Sequence, residues 1–186
     1  DGKFSVTIEK GAPYIIKAYN EGDTLYSFAA GATDNVNVTQ LTTQAIFAVN
    51  TDPDNRDYSS LADIYTQWKA VTTQSTSAEI QSQLDLAAKE AVANLKSYFD
   101  ANGYGGSKGY PDLFKTSFSV GAAGLDKVLD NVRITGLNQA CTGTGSTYTC
   151  NVKYQIGEST NYEWNYNIST DGITINLNPG TGGTGG

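Results

Sequence analysis

The sequence predicts an α+β fold, in which an N-terminal short β-segment and a helical middle precede a C-terminal antiparallel four-stranded sheet. Two observations predict it. Between Thr76 and Asn102, apolar residues recur at steps of three and four, as they do along one face of a helix. From Val132 onward the period changes to two, the spacing of strands with one buried face. We expect the four strands to pack on the apolar face of this one long helix.

The first 38 residues predict three short strands separated by turns rich in glycine, proline and acidic residues. Lys3–Glu9 alternates between apolar and polar residues, and Tyr14–Tyr19 and Leu25–Ala29 follow it. Three short strands cannot close a sandwich, and an open strand edge needs cover. We therefore expect this segment to be the end of a sandwich-like β-domain, or its strands to pair with the C-terminal sheet or with another molecule.

Four helices are predicted in the middle of the chain. Thr39 is a good N-cap for the first of them, while Ser60 with Asp63 and Thr76 with Glu79 form capping boxes for the next two. Asn102 and Gly103 tolerate the left-handed conformation that ends a helix. The predicted helices cover Gln40–Val49, Leu61–Val71, Thr76–Asn102 and Gly124–Asn131.

The last third of the chain predicts a meander of strands followed by a linker. Apolar and aromatic residues alternate with Asn- and Thr-rich positions along Tyr148–Ile156, Tyr162–Ile168 and Ile173–Leu177, after a first strand that begins at Val132. Residues 179–186 are almost entirely Gly and Thr, which is typical of a linker. The sequence thus predicts a β-segment over 1–38, a helical and sheet domain over 39–178, and a linker over 179–186.

Composition excludes several classes of function. The formal net charge is -7, and no basic stripe is present to contact phosphates, which argues against a nucleic-acid partner. No apolar run approaches the roughly 20 residues of a membrane span, so we expect no transmembrane segment. The chain has no histidine, which excludes Ser-His and Cys-His nucleophilic pairs and removes the commonest transition-metal ligand. We therefore expect no enzymatic activity.

The two cysteines, Cys141 and Cys150, indicate where the protein resides. We expect a disulfide between them across a hairpin or loop, which would stabilise the fold by about 2–3 kcal/mol in the chain-entropy model. Two free thiols are the alternative. A disulfide implies an oxidising compartment, so the sequence predicts an exported protein, extracellular or at the cell surface.

Two stretches resemble known proteins. The strands that begin at Asp1, Tyr14 and Thr24 resemble the last strands of a carboxypeptidase-regulatory-like β-sandwich. Asn37-Val-Thr-Gln-Leu-Thr-Thr and Gly124–Val132 resemble segments that follow such strands in large bacterial surface proteins and lipoproteins. In those proteins the first motif usually has proline where Gln40 stands here. The resemblance implies an exported, surface-associated, multi-domain parent, and it implies no catalytic residues because the motifs are structural.

Two groups of residues are candidate binding sites. Asp52, Asp54, Asn55 and Asp57 collect oxygen ligands in a short loop, as calcium sites do, although the same residues are common in turns. Tyr162, Trp164 and Tyr166 form a candidate stacking platform for sugar rings, with Asn165 and Asn167 among the hydrogen-bonding residues of the opposite face. The alternation of the aromatic residues with polar ones also fits core positions beneath the helices, and the Asn residues fit a solvated sheet face equally well. Calcium is the one cofactor that the sequence suggests.

Two further patterns have ordinary structural explanations. Asp126 and Asp130 lie one helical turn apart, and paired carboxylates can perform acid–base chemistry, but a solvated helix face explains them better. Asn37-Val-Thr39 and Asn167-Ile-Ser169 match the N-glycosylation pattern. If the source is bacterial, as the resemblance implies, we expect both matches to be incidental.

The sequence supports three hypotheses for function. The first is a non-enzymatic exported module of a bacterial cell-surface protein, with an adhesive or structural role. The second is a subunit of an extracellular filament or pilus, in which a neighbouring chain completes the N-terminal strands by strand addition. The third is a glycan-binding module. The expected partners are accordingly other protein chains, including further copies of this one, or cell-surface glycans.

Overall fold

The computed structural model of the chain describes residues 4–7, 13–20, 23–31, 35–49, 77–119, 121, 124–135, 142–144, 147–157, 160–169 and 177–178. The helices in these residues are α1 (Gln40–Val49), α2 (Ser77–Asn94), α3 (Lys96–Ala101) and α4 (Gly124–Asp130), with a 3-10 turn at Gly106–Lys108. The strands are β1 (Tyr14–Asn20), β2 (Asp23–Ala29), β3 (Val132–Thr135), β4 (Thr142–Thr144), β5 (Thr147–Ile156), β6 (Thr160–Ser169) and β7 (Leu177–Asn178).

The strands among these described residues form two separate sheets. β1 and β2 make an antiparallel hairpin in which Lys17 lies opposite Tyr26. In the second sheet β3, β5, β6 and β7 are neighbours in that order, and β4 also pairs with β5. The longest ladder joins β5 to β6, where Val152 lies opposite Trp164.

Helix α1 lies at the centre of the described structure. It packs against β2, α2 and β3, and every residue from Leu41 to Ile46 is buried. Its apolar side chains belong to the hydrophobic core, and its buried threonines bind polar backbone atoms. The core residues lie between positions 26 and 132: Tyr26, Phe28, Leu41, Ala45, Ile46, Ile80, Leu84, Ala87, Ala88, Ala91, Val92, Leu95, Phe99, Leu113, Phe114, Leu125, Val128 and Val132.

The predicted fold, with a four-stranded sheet packed on one long helix, is wrong. The predicted helix Thr76–Asn102 is two helices, because α2 ends at Asn94 and α3 begins at Lys96. The apolar face of α2 packs against α1, so a helix takes the place that we expected the sheet to fill. Periodicity identified the buried face of the helix correctly, but it carries no information about which element covers that face.

Other predictions about single elements have mixed outcomes. Helix Gln40–Val49 is confirmed with its predicted bounds. A strand over Lys3–Glu9 is wrong for the described part of it, since residues 4–7 belong to neither sheet. The predicted helix Leu61–Val71 lies outside the described residues. Among the helices that the structure describes, none is both long and apolar enough to cross a bilayer.

Replacing Gln44 with methionine is expected to stabilise the protein. The Gln44 side chain is buried on α1, and both of its amide atoms lack hydrogen-bond partners among the described residues. Because an unsatisfied buried polar group costs about 1–3 kcal/mol, a methionine of similar length should raise the free energy of unfolding by about that amount. Chemical denaturation measures the change.

Gln81→Met is the matched control for this prediction. The Gln81 amide is also buried, but its nitrogen donates to an Asp85 carboxylate oxygen at 2.7 Å. Its replacement should therefore give no gain in stability. A Gln44→Met protein that is less stable than the parent would show that the amide has a partner in the folded chain.

Candidate functional site

Asn37 ties the segment before α1 to a turn that lies far away in the sequence. Its side chain is buried, and its amide nitrogen donates to the backbone oxygens of Leu113 at 3.1 Å and Thr116 at 2.9 Å. Its backbone N–H donates to the oxygen of Phe114 at 2.8 Å. A single asparagine thus satisfies three backbone carbonyls of the 113–116 turn, which would otherwise lack these partners.

The start of α1 is fixed by two threonines that cap each other. The N–H of Thr42 donates to the Thr39 hydroxyl at 3.1 Å, and the N–H of Thr39 donates to the Thr42 hydroxyl at 2.8 Å. This is the reciprocal geometry of a capping box, with threonine in the position where Glu or Gln is usual. The prediction of Thr39 as the N-cap is confirmed.

The first turn of α1 also binds the outer edge of β2. The backbone N–H of Tyr26 donates to the Thr43 hydroxyl at 2.8 Å, and the Thr42 hydroxyl lies 2.9 Å from the backbone oxygen of Tyr26. Two side chains of a helix therefore occupy the positions that a neighbouring strand would take. An edge with unpaired backbone groups is covered in this way without a further strand.

Counting the hydroxyl hydrogens shows which acceptor each threonine at this edge binds. Each threonine hydroxyl has one hydrogen and two acceptor sites. The Thr43 hydroxyl accepts from Tyr26 and donates to the Thr39 oxygen at 2.7 Å. The Thr42 hydroxyl accepts from Thr39 and lies 2.9 Å from two backbone oxygens, those of Tyr26 and Thr39. Because the Thr39 oxygen already accepts from the N–H and the hydroxyl of Thr43, we assign the Thr42 donor to Tyr26. We call Asn37, Thr39, Thr42 and Thr43, with the backbone groups that they bind, the junction. It joins the hairpin, α1 and the 113–116 turn.

A second polar cluster lies on the surface beside α3. The Asp100 carboxylate pairs with Lys96 one helical turn away and accepts a hydrogen bond from the Tyr110 hydroxyl at 2.7 Å. Lys96, and to a lesser extent Tyr110, hold the pKa of the Asp100 carboxyl below its ordinary value. The contribution of this pair to stability is therefore present at neutral pH and is lost as the pH falls through the lowered pKa.

Gly105→Ala is expected to open the loop that this cluster holds. Gly105 has φ +82°, and a Cβ there would lie 2.5 Å from a carboxylate oxygen of Asp100 and 3.0 Å from the Tyr110 hydroxyl. The ψ of Gly105 is −170°, a backbone region that essentially only glycine adopts, and this conformation alone costs alanine about 1–3 kcal/mol. The clash adds to that cost. Gly103→Ala is the control, since Gly103 has φ +85° and open space around it. Thermal melting should show the larger loss for Gly105→Ala, and equal losses would contradict the contact.

The candidate calcium ligands Asp52, Asp54, Asn55 and Asp57 lie outside the described residues. Within the part of the chain that the structure describes, no three His, Cys, Asp or Glu side chains are grouped so that they could hold a metal ion. Calcium binding by the 52–57 loop stays a prediction.

The candidate glycan-binding residues all lie on β6. Backbone register places Tyr162 opposite Tyr154, Trp164 opposite Val152, and Tyr166 opposite Cys150, while Asn165 and Asn167 alternate with them. Their side chains lie outside the described part of the structure, so glycan binding stays a prediction.

The predicted disulfide also lies partly outside the described residues, since Cys141 is not among them. The described residues next to the two cysteines do face each other: Thr142, which follows Cys141, lies opposite Thr149, which precedes Cys150. The Cys141–Cys150 disulfide stays a prediction.

The remaining sequence patterns have structural roles in the described chain. Asp126 is buried, which corrects the expectation of a solvated face, and its carboxylate accepts from the N–H of Gly121 at 2.5 Å. Asp130 is exposed. Because the Asn37 amide is buried and bound to backbone oxygens, the first N-glycosylation match has no accessible nitrogen.

Sequence reasoning missed most of the junction. It gave Thr39 its role, but it placed Asn37, Thr42 and Thr43 only within a structural motif of the resemblance, and Asn37 also in a glycosylation pattern, without naming what their side chains bind. One signal was present, since two adjacent threonines lie in the first turn of an apolar helix. Buried hydroxyls need partners, and partners outside the helix indicate a contact with a neighbouring element.

Comparison with known proteins gives no relative: no family model, no curated protein and no solved structure matches this chain. The resemblance of its N-terminal segments to bacterial surface proteins stays a prediction. Its function is therefore inferred from its own residues and geometry.

Proposed function

We propose that this chain is a non-enzymatic module of an exported bacterial cell-surface protein, in which it has a structural role as a rigid spacer. The acidic composition, the absence of histidine and the predicted disulfide support an exported module without nucleophilic chemistry. The structural role, in preference to an adhesive one, is supported by the junction.

The proposal rests on what the side chains of the junction bind. Asn37, Thr42 and Thr43 all bind backbone atoms of other elements, namely the 113–116 turn and β2. Each such bond contributes about 1 kcal/mol net, and each fixes a distance between two elements. The hairpin also places Tyr26 and Phe28 in the core that α1 and α2 share. Both kinds of contact hold the hairpin against the helices, and this supports the rigidity that a spacer needs.

Protease shaving of intact cells tests the export that the proposal requires. An antibody against this chain should detect fragments released from intact cells of the source bacterium, while a cytoplasmic marker stays protected. If the chain becomes accessible only after lysis, the proposal is wrong.

A replacement experiment separates a spacer from an adhesin. In the parent protein, this chain is deleted in one variant and replaced in another by an unrelated rigid domain of similar length. Surface activity of the parent that is lost on deletion and restored by the replacement supports a spacer. Activity that returns only with the native chain means that the chain itself recognises a partner, and the structural role is then wrong.

A further inference from the structure

The two edges of the hairpin differ in how they are covered. Thr42 and Thr43 of α1 bind the outer edge of β2 at Tyr26. β1 pairs with β2 on one side, and within the described residues no strand pairs with its other side. Among the described residues, β1 therefore has the open edge of this sheet.

The Tyr26 contacts reveal which groups of β1 point outward. In an antiparallel pair, facing residues alternate between those that bond to each other and those whose N–H and C=O point away. Because Tyr26 bonds outward to α1, the residue opposite it, Lys17, also directs its N–H and C=O outward. By the same alternation, Ile15 and Tyr19 present backbone groups at the open edge.

The chain also contains a segment with the pattern of a strand and no strand partner among the described residues. Residues 4–7 alternate apolar and polar side chains but belong to neither sheet. Phe4 is 55% exposed and Val6 67% exposed. Exposed apolar residues with strand periodicity mark a segment that gains by joining a sheet.

We propose that the 4–7 segment of one copy adds as a strand to the open edge of β1 in a second copy. The inference rests on the proposed structural role and deepens it by naming the partner as another molecule of this chain. Within its own chain the segment lies only six residues before β1, and the structure does not pair the two. The donor and the acceptor are different surfaces, so two copies can close a dimer only by exchanging their segments reciprocally, and otherwise the contact continues head-to-tail into rings or filaments.

Sedimentation velocity of the whole chain, at rising concentration, measures this association. Every copy has a net charge of -7, so the copies repel each other. The experiment is therefore run at about 1 M salt, where the Debye length is about 3 Å. The expected result is one or more species larger than the monomer, whose share of the mass grows with concentration. A chain that stays monomeric throughout overturns the inference.

Two variants of Lys17 separate the contribution of its backbone N–H from that of its side chain. Lys17→Pro removes the outward N–H and leaves the ladder to β2 in place, because proline is tolerated where an edge strand faces away from its partner. Lys17→Ala removes the same side chain, including its contact 4.5 Å above the Tyr19 ring, but keeps the N–H. Lys17→Pro should weaken association at least tenfold relative to Lys17→Ala, with circular dichroism showing that both are folded. Equal association of the two variants overturns the inference.

A third variant tests the donor segment. Phe4→Ser combined with Val6→Ser should weaken association at least tenfold and leave the melting temperature of the dilute monomer unchanged, since both side chains are exposed. A double variant that associates like the parent overturns the inference. A chain that is surface-exposed on cells but monomeric overturns this inference alone, whereas a chain retained inside the cell overturns the proposed function.

Discussion

Leu84→Ala is expected to lower the free energy of unfolding by about 3–5 kcal/mol. Leu84 lies on the face of α2 that packs against α1, and it is 0% exposed in the core. Truncating a buried leucine loses its transfer free energy and leaves a cavity that the close-packed surroundings fill only in part. Urea denaturation, analysed at a fixed slope, measures the loss.

Leu86→Ala provides a control on the same helix. Leu86 lies two residues further along α2 and is 55% exposed, so its truncation should change stability by less than about 0.5 kcal/mol. Both variants remove the same atoms and alter helix propensity equally. A similar loss for the two would contradict the assignment of the α2 face that packs on α1.

Asn37→Ala is expected to lower the free energy of unfolding by about 2–4 kcal/mol. The change removes the two hydrogen bonds from the Asn37 amide to the backbone oxygens of Leu113 and Thr116. It leaves these oxygens without that donor in a largely buried setting, which adds a desolvation penalty to the lost bonds. Thermal and chemical denaturation should both report the loss.

Two further variants show whether the Asn37 amide is the cause. Asn94→Ala removes a bond of 2.9 Å that stays within α2, to the Glu90 oxygen, and should change stability little because alanine favours helix. Asn37→Asp keeps the shape but replaces the donor with a carboxylate facing carbonyl oxygens. At neutral pH it should destabilise the protein at least as much as Asn37→Ala does. When acid protonates the new carboxyl, part of the lost stability should return. Asn37→Ala with native stability would contradict the junction.

Some elements of this fold could be predicted because their signals are local. The bounds of α1 follow from the Thr39 cap and from the apolar period after it, and both are properties of adjacent residues. The buried face of α2 was equally readable, since Leu84 and Ala88 repeat at helical spacing. The break between α2 and α3 at Leu95 could not be predicted, because neither glycine nor proline marks it.

Other features depend on partners that are distant in the sequence. Asn37 and the 113–116 turn are separated by more than 75 residues, and no local pattern states that they meet. The central position of α1 was missed for the same reason, since amphipathic spacing shows that a face is buried but not by what. Asp126 was assigned to solvent because carboxylates usually lie there, whereas here it binds the backbone N–H of Gly121.

Hydrogen exchange of the Tyr26 amide tests most directly the claim that threonine hydroxyls of α1 cover the edge of β2. The Tyr26 N–H should be as protected as that of Leu25, which lies next to it on β2 and faces β1. Thr43→Val keeps the shape and removes the acceptor, so Tyr26 should exchange at least about tenfold faster, equivalent to about 1.4 kcal/mol. A Tyr26 amide that exchanges as fast as an exposed edge group in the native protein, or that is unaffected by Thr43→Val, would contradict the junction.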